Sequence, residues 1–460
     1  MPTYNNGSIT RRRALGALGV AGIGSLTGCF GGGGSGGDGS EIEIWTVIHG
    51  QSDIAATFME ETIGRFEEET DYTVNWVQEN VQNVQNGNWR QRMEQGNVPQ
   101  LFNTAASRTG GFVDAGFVTP WGDVLDEMDS EVVSGTEWAH DVVSNIYRGF
   151  DGETRKIMPI GFVMQEPFVA RVDHFEEAGL DIEEDFPPEN YEELLDIATT
   201  LQEDGPGDVG FQVHGAPGDL MDEITPTWAH SYGGTDGLYV NESWDDTLLD
   251  SDAWKTSLSR NVEIYRELGL SSENSATTSD EDACRLLING TASMSQVGML
   301  NYGLFENQAP DMLENGTLRY GQSWEGEAGF RGEFNVQSLA MSSQPPDMDD
   351  STWESKREGA IQFLNMMMSV ETQQQVFDSF GLLPFNQNAW DEIESRESQV
   401  IETGIAVAEG SEYGWQAHPD MADIQYNISG PIFQQAMNGE LTPEEACDQA
   451  AERIREQVFN

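Results

Sequence analysis

Eighty aspartates and glutamates, six histidines and three cysteines are the carboxylates, imidazoles and thiols that this 460-residue chain offers for acid–base or metal chemistry. Their spacing excludes most of it. There is no His-Glu-x-x-His helix, no Cys/His metal spacing, no nucleophile elbow on a strand-to-helix turn, and no glycine loop closing on a lysine to cradle phosphate. Neither a metal nor a cofactor is expected. Two carboxylates across a cleft would make a glycosidase, and acid pairs abound, but no pair stands in an apolar setting that would raise one pKa. A secreted glycosidase is thus the distant alternative, and no catalytic residue is assigned.

Cys29 is the exception among the cysteines. It closes the stretch TRRRALGALGVAGIGSLTGC, which opens on Arg11, Arg12 and Arg13 and holds no acid. The apolar run is shorter than the roughly 20 residues a bilayer crossing needs, so residues 1–28 read as a removable leader. The paired arginines resemble a twin-arginine export signal, and Leu26-Thr27-Gly28-Cys29 resembles a lipobox whose cysteine is acylated. A plain secretory leader with an incidental cysteine is the alternative. Residues 29–40 continue as FGGGGSGGDGS after Cys29, a flexible tether that can form no core. The expected layout is a lipid hook through Cys29, a slack leash and a globular part on the outer face of the cell membrane.

The formal charge is −58, and removal of the three leader arginines makes it −61. Lys156, Lys255 and Lys356 are the only lysines. With no basic patch, a nucleic-acid partner is excluded. The acids are spread over every segment, as in an adaptation to molar salt, where a Debye length of about 3 Å screens their repulsion. A halophilic, haloarchaeal type of protein is expected; a binder of cations or basic protein is the other reading. Cys284 and Cys447 each fall in a predicted helix, where two buried free thiols are expected and a pair is the alternative. Asn241, Asn289, Asn315 and Asn427 are glycosylation sequons of unknown use.

The elements that must position any site follow from periodicity. Strands are predicted at 41–48, 72–77 and 98–104, with helices at 54–69 and around 89–95 between them: an α/β lobe. Extended chain is expected through 156–170, a helix after Pro187-Pro188-Glu189-Asn190, a strand at 209–214 and one helix over 222–231. Helices at 253–268 and 280–289, strands at 291–297 and 335–342, and helices at 354–368, 372–380 and 442–459 complete the pattern.

Four stretches in this order resemble the extracellular solute-binding proteins of ABC importers, in the carbohydrate branch that holds the maltodextrin-binding proteins. They are VPQLFNTAASRTGGFVDAGFVTPW (98–121), AGLDIEEDFPPENYEELLDIATTL (178–201), LLINGTASMSQVGML (286–300), and the pair AIQFLNMMMSVETQQQVFDSFGLLPFN (360–386) and FQQAMNGELTPEEACDQAAERI (433–454). The resemblance implies an α/β, periplasmic-binding-protein-like fold: two α/β lobes with a ligand cleft and hinge crossings, and a helical C-terminal part. The N-terminal lobe is expected from 41–157 plus 298–338, and the C-terminal lobe from 158–297 plus 339–460. Crossings are expected near Lys156–Phe162, Ser293–Tyr302 and Ser338–Ser343. No catalysis is implied; the partners are a sugar and the permease subunits, and the protein is a monomer.

The likeness also implies ligand-binding residues. His49 and Gln51 fall in the first-strand loop, and Ser107 with Arg108 stand for the family's Asp-Arg pair, the carboxylate reduced to a hydroxyl. Gln165 lies by the first crossing. Glu223, Thr225 and Trp228 in DEITPTWAH are similar to the family's Glu-Pro-Tyr-Phe-Thr-Trp, and Asn301 and Tyr426 fall near its stacking tryptophans. Aromatic rings suit pyranose faces, and carboxylates and Arg suit hydroxyls. Thr104 and Leu300 stand where the family has aromatics, which points to a mono- or disaccharide rather than a long maltodextrin. A polyamine or a glycerol phosphate is the alternative solute, the latter disfavoured because Arg331 is the one further cation available beside Arg108.

Overall fold

The computed structural model describes residues 40–47, 53–79, 88–136, 158–164, 167–324, 326, 328, 334–380, 382–391, 393, 403 and 416–459. Within them, ten strands form two sheets. The first sheet has the order β10-β4-β9-β3-β1-β2, and the second the order β6-β7-β5-β8. The strands are β1 (Glu41–Thr46), β2 (Thr73–Gln78), β3 (Leu101–Ala105), β4 (Met158–Met164), β5 (Phe168–Arg171), β6 (Val209–Gln212), β7 (Ala292–Gln296), β8 (Leu318–Gly321), β9 (Phe334–Met341) and β10 (Leu383–Pro384).

Strand β1 is the axis of the first sheet. It pairs in parallel with β2 (Ile44 opposite Trp76) and with β3 (Ile44 opposite Leu101). Parallel neighbours need crossover connections, and α1 (Asp53–Glu69) and α2 (Asn88–Glu94) supply them. Ala55, Phe58, Met59 and Phe66 recur at helical spacing on α1 and are buried, as are Trp89 and Met93 of α2. Antiparallel β9 then closes the sheet between β3 and β4.

The second sheet is fully buried along β6 and β7. On β5, Phe168 and Ala170 point into one apolar cluster and Val169 into the other. The two-residue side-chain period of a strand produces this split. Helix α3 (Tyr191–Asp204) packs here; its N-cap, Asn190, accepts a 3.0 Å hydrogen bond from the Glu193 N–H.

Strand β8 was not foreseen, because LRYG is too short to show alternation. It lies in the second sheet, antiparallel to β5, and Ser338–Met341 lies inside the first sheet. The helix Asp350–Met367 packs on β1. The change from β4 to β5 spans 164–168, just beyond the first expected crossing. Cys284 and Cys447 are buried thiols not joined in a disulfide, one in each apolar cluster.

Candidate ligand-binding site

The predicted helix over 222–231 is broken at Glu223. Helix α4 (Pro217–Asp222) ends there and α5 (Ile224–Gly233) begins, with Glu223 between them at φ −128° and ψ −108°. Pro226 accounts for the break. A proline ring inside a helix meets the carbonyl four residues back, here that of Asp222, and has no N–H to offer it. The chain restarts instead, with the Thr227 N–H donating to the Glu223 carbonyl at 3.1 Å.

This break sits against the carboxyl ends of two parallel strands, β6 and β7, where α/β sheets place their ligands. His214 lies just beyond β6, and Gly298 and Asn301 just beyond β7. The N-terminus of α6 (Asp280–Ile288), capped by Ser279, brings Asp280 to the same edge. One donor atom each from His214, Glu223 and Asp280 falls within 4.8 Å of the others.

The electrostatics of this cluster follow from burial. His214 is fully enclosed, and burial pushes its pKa down to about 3. Its Nε2 is 3.8 Å from Oε2 of Glu223, but a neutral imidazole makes this a contact between polar groups rather than an ion pair. Burial, then the charges of Glu223 and Asp219, push the Asp280 carboxyl well above the usual range, against the Gly298 N–H and the Asn301 amide that favour its charged form. The Asn301 amide donates to Oδ2 of Asp280. Asp219 is also raised by burial, while it accepts a 3.0 Å hydrogen bond from the Asp280 N–H. Beside Glu223, Oδ2 of Asp222 accepts a 2.7 Å hydrogen bond from the Tyr426 phenol.

Of the residues expected at a site, the structure therefore gathers Glu223, Asn301 and Tyr426 at one sheet edge. Thr225 and Trp228 lie elsewhere. Thr225 is buried, with its hydroxyl accepting from Asn261 at 3.5 Å and its carbonyl from Ser257 at 2.6 Å. Trp228 is fully buried among Tyr191, Phe211 and Trp324, and its Nε1 donates to Oε1 of Gln296 at 2.6 Å. As placed, it offers no ring face to a solute. His49, Gln51 and Gln165 lie outside the described residues, and of Ser107 and Arg108 the backbone alone is described, in the helix Ala106–Asp114. His214, Asp219, Asp222 and Asp280 were missed. The position of His214 directly after an apolar strand was the available signal; the three acids had none among eighty.

Comparison with known proteins agrees with this architecture. Residues 50–374 match the model of the bacterial extracellular solute-binding protein family. The chain belongs to that family. It is a family of binding proteins rather than enzymes, and no described helix of this solute-binding protein is long and apolar enough to cross a membrane. No curated protein sequence matches it. Among solved structures, it is similar to an ABC-transporter solute-binding protein of Thermotoga lettingae bound to α-D-tagatose, at a TM-score of 0.72 and 17% identity over 91% of this chain and 99% of that one. The maltose-bound MalE3 of T. maritima gives 0.72 and 16%, over 91% and 100%. A Listeria monocytogenes substrate-binding protein in complex with cycloalternan gives 0.70 and 16%, over 91% and 98%. Together they establish the periplasmic-binding-protein-like fold.

Proposed function

We propose that this protein captures a sugar, a mono- or disaccharide, and delivers it to the membrane permease of an ABC importer. The carrying observation is the polar edge of the second sheet, where Glu223 converges with Asp280, itself held by Asn301, and the adjoining Asp222 is held by Tyr426. Carboxylates and a side-chain amide exchange hydrogen bonds with hydroxyls, and a phenol adds an aromatic face for a pyranose ring. Burial disfavours charge on Asp280 and Asp219, so this edge offers less of the fixed negative charge that a polyamine would need. The sugars in the structural neighbours support it. His49, Gln51, Ser107, Arg108 and Gln165 would add polar contacts to the solute, and hinge bending would enclose it.

The residues up to Cys29 would act as the export leader, with Cys29 acylated and residues 29–40 tethering the folded part outside the cell. Mass spectrometry of the membrane-bound form reads that directly, as a lipid mass on an N-terminal Cys29.

A thermal-shift screen in molar salt tests the solute class, with mono- and disaccharides, glycerol phosphates and polyamines in the panel. A ligand at a hundredfold excess over Kd stabilises by about 2.7 kcal/mol. A shift with one sugar and none with its epimer is the expected result. A shift with spermidine-like cations alone would overturn the sugar and leave the fold untouched.

A further inference from the structure

We infer that His214, Glu223 and Asp280 form a binding site for a divalent transition-series cation, set at the carboxyl ends of β6 and β7. Three observations carry it. The first is convergence: one donor atom from each residue lies within 4.8 Å of the other two. Two ligands each about 2.1 Å from a tetrahedral ion are about 3.4 Å apart, so the 3.8 Å between His214 Nε2 and Glu223 Oε2 needs only a small closure.

The second is Asp280 itself. It is 8% exposed, and while Oδ2 takes the Asn301 amide, the enclosed Oδ1 makes no hydrogen bond to any described residue. A carboxylate oxygen so placed, converging on a second carboxylate and an imidazole, is one that a cation would satisfy. The third is the surrounding support. The Asn301 amide and the Gly298 N–H orient Asp280 from behind, and Asp219 holds its backbone N–H. Such outer contacts fix the direction in which a ligand oxygen points.

The donor set selects the ion. One imidazole with two carboxylates suits Zn2+ or its transition-series neighbours. Ca2+ takes six to eight oxygens and Mg2+ a near-octahedral shell rich in water, and neither favours a nitrogen ligand. The site rests on this geometry alone and not on the identity of the solute, so metal binding without any sugar binding would leave it standing.

The test is equilibrium dialysis of the whole exported chain against Zn2+ in molar KCl, with excess Mg2+ occupying the exposed acids, read by elemental analysis. One Zn2+ per chain is expected. Asp280→Asn, which preserves shape, and His214→Ala should each weaken it by about tenfold or more, with circular dichroism verifying that each variant folds. Should His214→Ala fail to fold, Asp280→Asn decides. Absence of stoichiometric Zn2+ would overturn the site, as would Zn2+ binding that survives Asp280→Asn undiminished, or a preference for Mg2+.

Discussion

The Tyr426 phenol donates a 2.7 Å hydrogen bond to Oδ2 of Asp222, across 204 residues of sequence. It ties the C-terminal segment to the break between α4 and α5, and so to the residue beside Glu223. Removing the hydroxyl strands part of a half-buried carboxylate, a loss of about 1–3 kcal/mol. Tyr426→Phe should therefore lower the midpoint of urea unfolding while keeping the slope, and weaken solute binding in parallel.

Trp228 is a packing residue in this structure, with its ring centroid 4.9 Å from that of Trp324. Trp228→Ala should cost about 3–5 kcal/mol of stability, the range for emptying a large aromatic from a core. Chemical denaturation measures it. A stable variant with a specific loss of solute affinity would instead mark the indole as a contact that the solute reaches.

Gly110 lies where the helix Ala106–Asp114 meets the C-terminal segment: a Cβ there would fall 2.1 Å from the Ala417 carbonyl oxygen and 2.7 Å from the backbone of His418. Backbone on the far side cannot rotate away as a side chain can. Gly110→Ala should destabilise by about 1–3 kcal/mol through overpacking, seen as a lower Tm.

Acid sensitivity should track Asp250. Burial pushes its carboxyl up, but the Arg455 guanidinium, donating at 2.7 and 3.1 Å, outweighs it and holds the pKa below the ordinary value. A depressed carboxylate contributes stability that is present above its unfolded pKa, about 3.9, and lost as pH falls through the folded value. Asp250→Asn should remove that contribution at neutral pH and flatten the fall in Tm below about pH 4. A variant whose Tm falls as steeply as the parent's would contradict it.

Much of the fold was legible because it rests on local periodicity. Strand β1, helix α1 and the helix Pro443–Gln457, with its Thr442–Glu445 capping box, each show their period or cap in the sequence. Strand β8 did not, since four residues cannot display alternation and its partner β5 lies about 150 residues away. Glu223 stood out in the sequence through a family pattern, yet the break that exposes it came from Pro226, which looked compatible with one helix. His214 and Asp280 meet Glu223 only through the packing of β6, β7 and α6, a relation that no sequence spacing carries. The aromatic at 228 misled for the reverse reason: in a chain with 12 tryptophans, residue type alone does not separate a stacking face from a core.

Glu223 is the residue on which the proposed sugar site turns, with 16% of its side chain exposed where His214 has none. Calorimetric titration of the best sugar from the screen into the parent chain and into Glu223→Gln, in molar salt, is the direct test. A hydrogen bond to a charged group is worth about 1.5–3 kcal/mol, or roughly tenfold to a hundredfold in affinity. One sugar per chain, weakened by that factor in a variant of unchanged Tm, is the predicted result. Equal affinity in the two proteins would contradict the placement of the sugar at this sheet edge.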